Sequence, residues 1–99
     1  MNQYPADRHR IHILVTGRVQ NVGFRAFVQQ TGSRLGLTGW VRNLARDQVE
    51  TVAEGARHDL EQFLACLKEG PVGSRVDQAH ETWAPASGEF IGFLVRSSR

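Results

Sequence analysis

The segment Gly17-Arg18-Val19-Gln20-Asn21-Val22-Gly23-Phe24-Arg25 carries the clearest chemical signal in the chain. It joins an alternating apolar stretch to a run of helical spacing. Unpaired backbone N–H groups and the positive end of the helix dipole meet at such a junction, which makes it a natural anion site. Gly17, Asn21 and Gly23 tolerate left-handed backbone angles, so successive N–H groups can turn inward as a nest. The residues expected to wrap the anion are Arg18, Val19, Gln20, Asn21, Val22, Gly23 and Phe24. Arg25 falls in the first helical turn, where its planar fork can meet two phosphate oxygens at once. A Walker loop is excluded, because no Lys-Ser or Lys-Thr follows the last glycine.

A second segment, Gly39-Trp40-Val41-Arg42-Asn43, ends a predicted strand. Strand alternation puts Asn43 on the same face as Val41, the better candidate for the core side. The elements that must position both segments follow from periodicity. Ile11, Ile13 and Val15 alternate with His12, Leu14 and Thr16 as a strand that Gly17 should stop. Phe24, Phe27, Val28, Thr31 and Leu35 share one helical face, and Gly36 is placed to end that helix. Strands are expected over residues 38–44 and 48–54, joined by a tight turn at Ala45-Arg46-Asp47. Leu60, Phe63, Leu64 and Leu67 form the stripe of a second helix, stopped by Gly70-Pro71. A polar edge strand over about 75–83 and a short apolar strand over 90–96 complete the chain.

This order is β-α-β-β-α-β plus one short C-terminal strand. Two right-handed split crossovers place both helices on one face of an antiparallel sheet, a ferredoxin-like α/β sandwich of the α+β class. In it the first two strands run parallel, so their C-terminal ends share one edge of the sheet. Asn43 should therefore come near the loop that follows the first strand.

The chain has 99 residues, 40% of them hydrophobic, and a net charge of +2. That fits a single domain over 10–99 behind a flexible N-terminal tail at 1–9. No apolar run reaches membrane-span length, and the polar start lacks a signal-peptide core, so a cytoplasmic protein without membrane contact is expected; no long unpaired apolar surface is evident, so a monomer is expected too. Cys66 alone excludes an internal disulfide and a cysteine-based zinc site, and its apolar helical setting predicts a buried thiol. His9, His12, His58 and His80 have no metal spacing, so no metal and no cofactor are expected. His12 should look to solvent from the open side of the sheet. Glu50, Asp59 and Glu61 read as surface charge, Arg18 and Arg42 as solvent-facing charges that can steer anions, and Trp40 and Trp83 as packing residues.

Amides, one guanidinium and one carboxamide, without a convincing general acid, suit a leaving group that departs unprotonated. A carboxylate, with a pKa of roughly 4, is such a group; an alkoxide is not. Phosphoryl transfer through a loose transition state needs mainly positioning and charge stabilisation. Arg25 and the loop amides would hold the phosphoryl oxygens, and Asn43 would orient the attacking water.

Both segments resemble the two signatures of the acylphosphatase family. The similarity runs from about residue 10 over nearly the whole chain, including Val49-Glu50-Thr51-Val52-Ala53-Glu54-Gly55 and the Gly70-Pro71 break. The resemblance implies a catalytic arginine at Arg25, a catalytic asparagine at Asn43 and no metal. It implies a small acyl phosphate as substrate and inorganic phosphate as product. One position departs: the family usually has glycine where this chain has Asn21, and asparagine is the best non-glycine substitute at positive φ.

Blander readings compete for the same residues. Gly17 and Gly23 could simply end a strand and start a helix, Arg25 could be solvated, Asn43 could begin a turn, and Gln20 could only brace the loop. Two other functions share the fold: an acylphosphatase-like domain for carbamoyl-phosphate chemistry in a larger maturation protein, or a non-catalytic anion or nucleic-acid module. The absence of a further domain speaks against the first. No strand carries the paired aromatics of an RNA-recognition motif, so no nucleic acid is expected.

Overall fold

A computed structural model describes residues 8–97. The elements are β1 (Arg8–Arg18), α1 (Phe24–Arg34), β2 (Thr38–Leu44), β3 (Gln48–Ala56), α2 (Arg57–Glu69), β4 (Arg75–Pro85) and β5 (Phe93–Val95). Residues 1–7 of the expected tail lie outside the described residues, whereas Arg8 and His9 already belong to β1.

The sheet order is β4-β1-β3-β2-β5. β1 pairs antiparallel with β3 and β4, and β2 pairs antiparallel with β3. The expected antiparallel sheet is thus built by the four long strands. It becomes a mixed sheet at one edge, where β5 pairs parallel with β2. The two helices cover one face, as the split crossovers require.

Alternation decides that face. Ile11, Ile13 and Val15 of β1, Val41 of β2 and Val49 and Ala53 of β3 are fully buried. Phe24 and Val28 of α1, and Leu60, Phe63 and Leu67 of α2, close over them. Truncating a side chain such as Phe63 to alanine in a core of this kind costs about 3–5 kcal/mol. Phe93 of β5 enters the same core, its ring 5.8 Å from that of Phe63. Gly32 makes room for it, since a Cβ there would sit 2.5 Å from the Phe93 ring.

Four strands have bounds that depart from the periodicity. Gly17 does not stop β1, because a bulge between Thr16 and Gly17 lets pairing with β4 continue to Arg18. β4 runs on to Pro85, and β3 to Ala56. β5 is only three residues long, because the chain must first cross from the β4 edge to the β2 edge. The crossing segment passes over the open face and is tied to Glu54 of β3, a fully buried carboxylate. Glu54 accepts hydrogen bonds from the backbone N–H groups of Ser87 and Gly88, both at 2.9 Å, and from Arg10 Nε at 2.7 Å.

Candidate active site

The bulge that prolongs β1 also aims the loop that follows it. Gly17 has φ 144°, and a Cβ at this position would lie 2.1 Å from the carbonyl oxygen of Arg75. Only glycine fits that approach. Val19 is buried and roots the loop in the core, and half-buried Val22 packs against the same cluster. Asn21 (φ 62°) and Gly23 (φ 75°) both adopt the left-handed conformation that the loop was expected to need.

Gly23 is the N-cap of α1 and makes no side-chain cap. The first backbone bond across that end runs from Phe27 N–H to Gly23 C=O, at 3.0 Å. The N–H groups of Phe24, Arg25 and Ala26 therefore precede any intrahelical acceptor and are available to an anion. All three residues line an open cleft of about 290 Å³, together with Val19, Asn21, Gly23, Asn43 and Val95.

Arg25 is half-buried on the cleft, and its Nη1 donates a long bond, 3.5 Å, to the carbonyl of Arg96. Asn43 is the penultimate residue of β2, opposite Val49 of β3 and on the face of the buried Val41. It reaches the cleft across the end of β3, which separates β2 from β1. The two segments picked out by residue type thus meet in one place.

Not every expected loop residue offers its side chain there. Gln20 turns away and donates to the carbonyls of Ala45 and Gln48. Arg18 is exposed and pairs with Arg75 across the β1–β4 edge. Neither of them, nor Val22, lines the cleft, so these positions can contribute backbone alone. Ala26 and Val95 line it without having been picked out by sequence. Val95 carries no local signal, because its place depends on β5 pairing beside β2.

Several charges are more engaged than their sequence setting suggests. Glu50 is no free surface charge: it accepts from Arg42 Nε at 2.7 Å, and His12 Nε2 lies 2.7 Å from its other oxygen. Partial burial pushes its pKa up, but these hydrogen bonds outweigh burial and hold it below the ordinary value. Arg42 is thereby an ion-pair partner, and it also lies over the Trp40 ring. Cys66 is half-buried rather than buried. Among the described residues no group of three or more His, Cys, Asp or Glu is placed to hold a metal ion, and no helix is long and apolar enough to cross a membrane.

Fold and cleft define a small α+β protein in which a helix start and a neighbouring strand end meet on one concave surface. A model of the acylphosphatase family matches residues 11–95. The acylphosphatase of Syntrophotalea carbinolica is 55% identical over 87 residues, covering 88% of this chain and 95% of that one. The solved acylphosphatase of Coxiella burnetii superimposes with a TM-score of 0.88 at 35% identity, covering 97% of this chain and 100% of that one. Full-length HypF in its phosphate- and nucleotide-bound form matches at 29% identity and TM-score 0.83, over 92% of this chain but only 12% of HypF. This chain belongs to the acylphosphatase family.

Proposed function

We propose that this chain hydrolyses the carboxyl–phosphate anhydride of small acyl phosphates, releasing a carboxylate and inorganic phosphate. The observation that carries this reading is the convergence on one cleft of three helix-start amides without an acceptor among the described residues, the Arg25 guanidinium and the Asn43 carboxamide. Arg25 and the amides of the loop hold the phosphoryl oxygens and stabilise the charge they carry in the transition state. Asn43 orients the attacking water. The water oxygen bonds to phosphorus as the bond to the acyl oxygen breaks, and the electron pair leaves with the carboxylate. The water's protons stay with the phosphate product, so neither a strong base nor a general acid is required.

The enzyme acts in this reading as a cytoplasmic monomer on a small-molecule substrate, without nucleic acid or membrane. The large exposed apolar residues Val72, Ile91, Leu94 and Val95 lie in two short stretches of the chain. Light scattering on the purified chain checks the monomer. The decisive assay is phosphate release from acetyl phosphate or benzoyl phosphate. Multiple turnover is expected. Saturable binding of phosphate without turnover would instead make this a binding module.

A further inference from the structure

The phosphate loop and Asn43 sit on elements that are not neighbours in the sheet. β3 lies between β1 and β2, so the loop and Asn43 face each other across the start of β3, beside the β2–β3 turn, residues 45–47. One side chain ties these parts. Gln20 Nε2 donates to the carbonyl of Ala45 on one side of the turn and to that of Gln48, at 2.9 Å, on the other. Both hydrogens of a single amide nitrogen are thus committed to the turn. A backbone bond reinforces the tie, from Gly17 N–H to the carbonyl of Asp47 at 3.0 Å.

The turn needs such support. Ala45 has φ 58°, a conformation that a non-glycine residue keeps only when its surroundings hold it there. Asn43 stands two residues before Ala45. Only Leu44 separates Ala45 from Asn43, so the conformation held at Ala45 borders directly on the strand end that carries the Asn43 carboxamide.

We propose that Gln20 is a positioning residue: its carboxamide, clamped to both sides of the β2–β3 turn, sets the separation between the phosphate loop and Asn43. This rests on the assignment of Asn43 to the attacking water. The loop keeps its own supports, the buried Val19 and the close approach at Gly17, so phosphate capture does not depend on the clamp. Only the angle and distance of the water relative to phosphorus do.

The test is a double-mutant cycle on kcat, with inorganic phosphate as competitive inhibitor. Gln20→Met keeps the length of the side chain and removes the donor. It is expected to lower kcat about tenfold, the scale of a sub-ångström misplacement, with the phosphate inhibition constant changed less than about twofold. In an Asn43→Ala background the same substitution is expected to cost nothing further, since the group it positions is gone. Gln20→Glu, which sets a carboxylate against two carbonyl oxygens, should fall below Gln20→Met. Should Gln20→Met fail to fold, Gln20→Asn, one methylene too short to reach the turn, is held to the same criteria.

Penalties that multiply in the double variant would overturn the proposal, as would a phosphate inhibition constant that rises in step with the loss of kcat. Unimpaired kcat in Asn43→Ala alone would instead remove the assignment of Asn43 on which the proposal stands.

Discussion

Glu54 and Arg25 are both charged groups in partly enclosed settings, and they are treated in opposite ways. Glu54 is fully buried and saturated: Ser87 N–H, Ser87 Oγ, Gly88 N–H and Arg10 Nε all donate to its two oxygens. Arg10 is in turn held by Ser87 Oγ and Glu89 and lies over the Phe90 ring. Burial alone would raise the Glu54 pKa, but the donors overcome it and keep it below the ordinary carboxylate value. Arg25, by contrast, makes among the described residues one long bond, to a carbonyl, and lines an open cleft. A charge whose partners are complete holds structure; a charge left with spare donors on a concave surface is available to a ligand.

The largest expected effect breaks the open side of this contrast. Arg25→Lys keeps the charge and loses the fork, so kcat should fall by at least about 100-fold while the urea midpoint stays where it was. Near wild-type turnover would remove Arg25 from the chemistry. Glu54→Gln breaks the closed side. It sets an amide NH2 against donors already in place, and the unfolding free energy should drop by about 2–3 kcal/mol. Turnover per folded molecule should stay within a small factor of wild type. A collapse of kcat at unchanged stability would mean that the contrast is drawn in the wrong place.

The pH dependence sharpens it. The folded Glu54 pKa is depressed, so its contribution is complete above the ordinary carboxylate value of 4.5 and is lost as pH falls through the lower folded value. The stability gap between wild type and Glu54→Gln, read from urea unfolding, should therefore be constant near neutrality and narrow below that value. Glu50, also depressed but held by His12 and Arg42 rather than by the Glu54 network, loses stability over the same acid range in both proteins.

Asn43→Ala should be milder than Arg25→Lys. A drop in kcat of about 30-fold is expected, with phosphate inhibition nearly unchanged, because orientation and not charge is removed. Parallel loss of both would recast Asn43 as an anion ligand. The smallest effect is none: exhaustive dialysis against EDTA should leave turnover intact. Activity that vanishes and returns with a divalent ion would refute the proposed chemistry.

Much of this was legible in the sequence. The 3.6-residue stripe through Phe24 and Val28, and the alternation of Ile11, Ile13 and Val15, are direct consequences of which face is buried. Element order then brought Asn43 to the loop without any contact being known. What escaped was set by long-range geometry. Glu54 looks like any outward residue of β3 until the segment from β4 to β5 is known to cross above it. Val95 enters the cleft only because a three-residue strand docks parallel to β2. Arg42 and Glu50 are eight positions apart in sequence, and their pairing needs the β2–β3 register to become visible.

That short docked strand has a consequence in time. β5 meets partners more than half the chain away, Gly39 against Phe93 and Val41 against Val95, whereas β2 and β3 meet through a three-residue turn. Closing so long a loop for so few pairings is unfavourable until the sheet edge that receives them exists, so β5 should dock late in folding. The outer wall of the cleft and the carbonyl that Arg25 touches arrive with it. After dilution from urea, enzymatic activity should recover more slowly than far-ultraviolet circular dichroism, and the lag would time the arrival of the C-terminal strand.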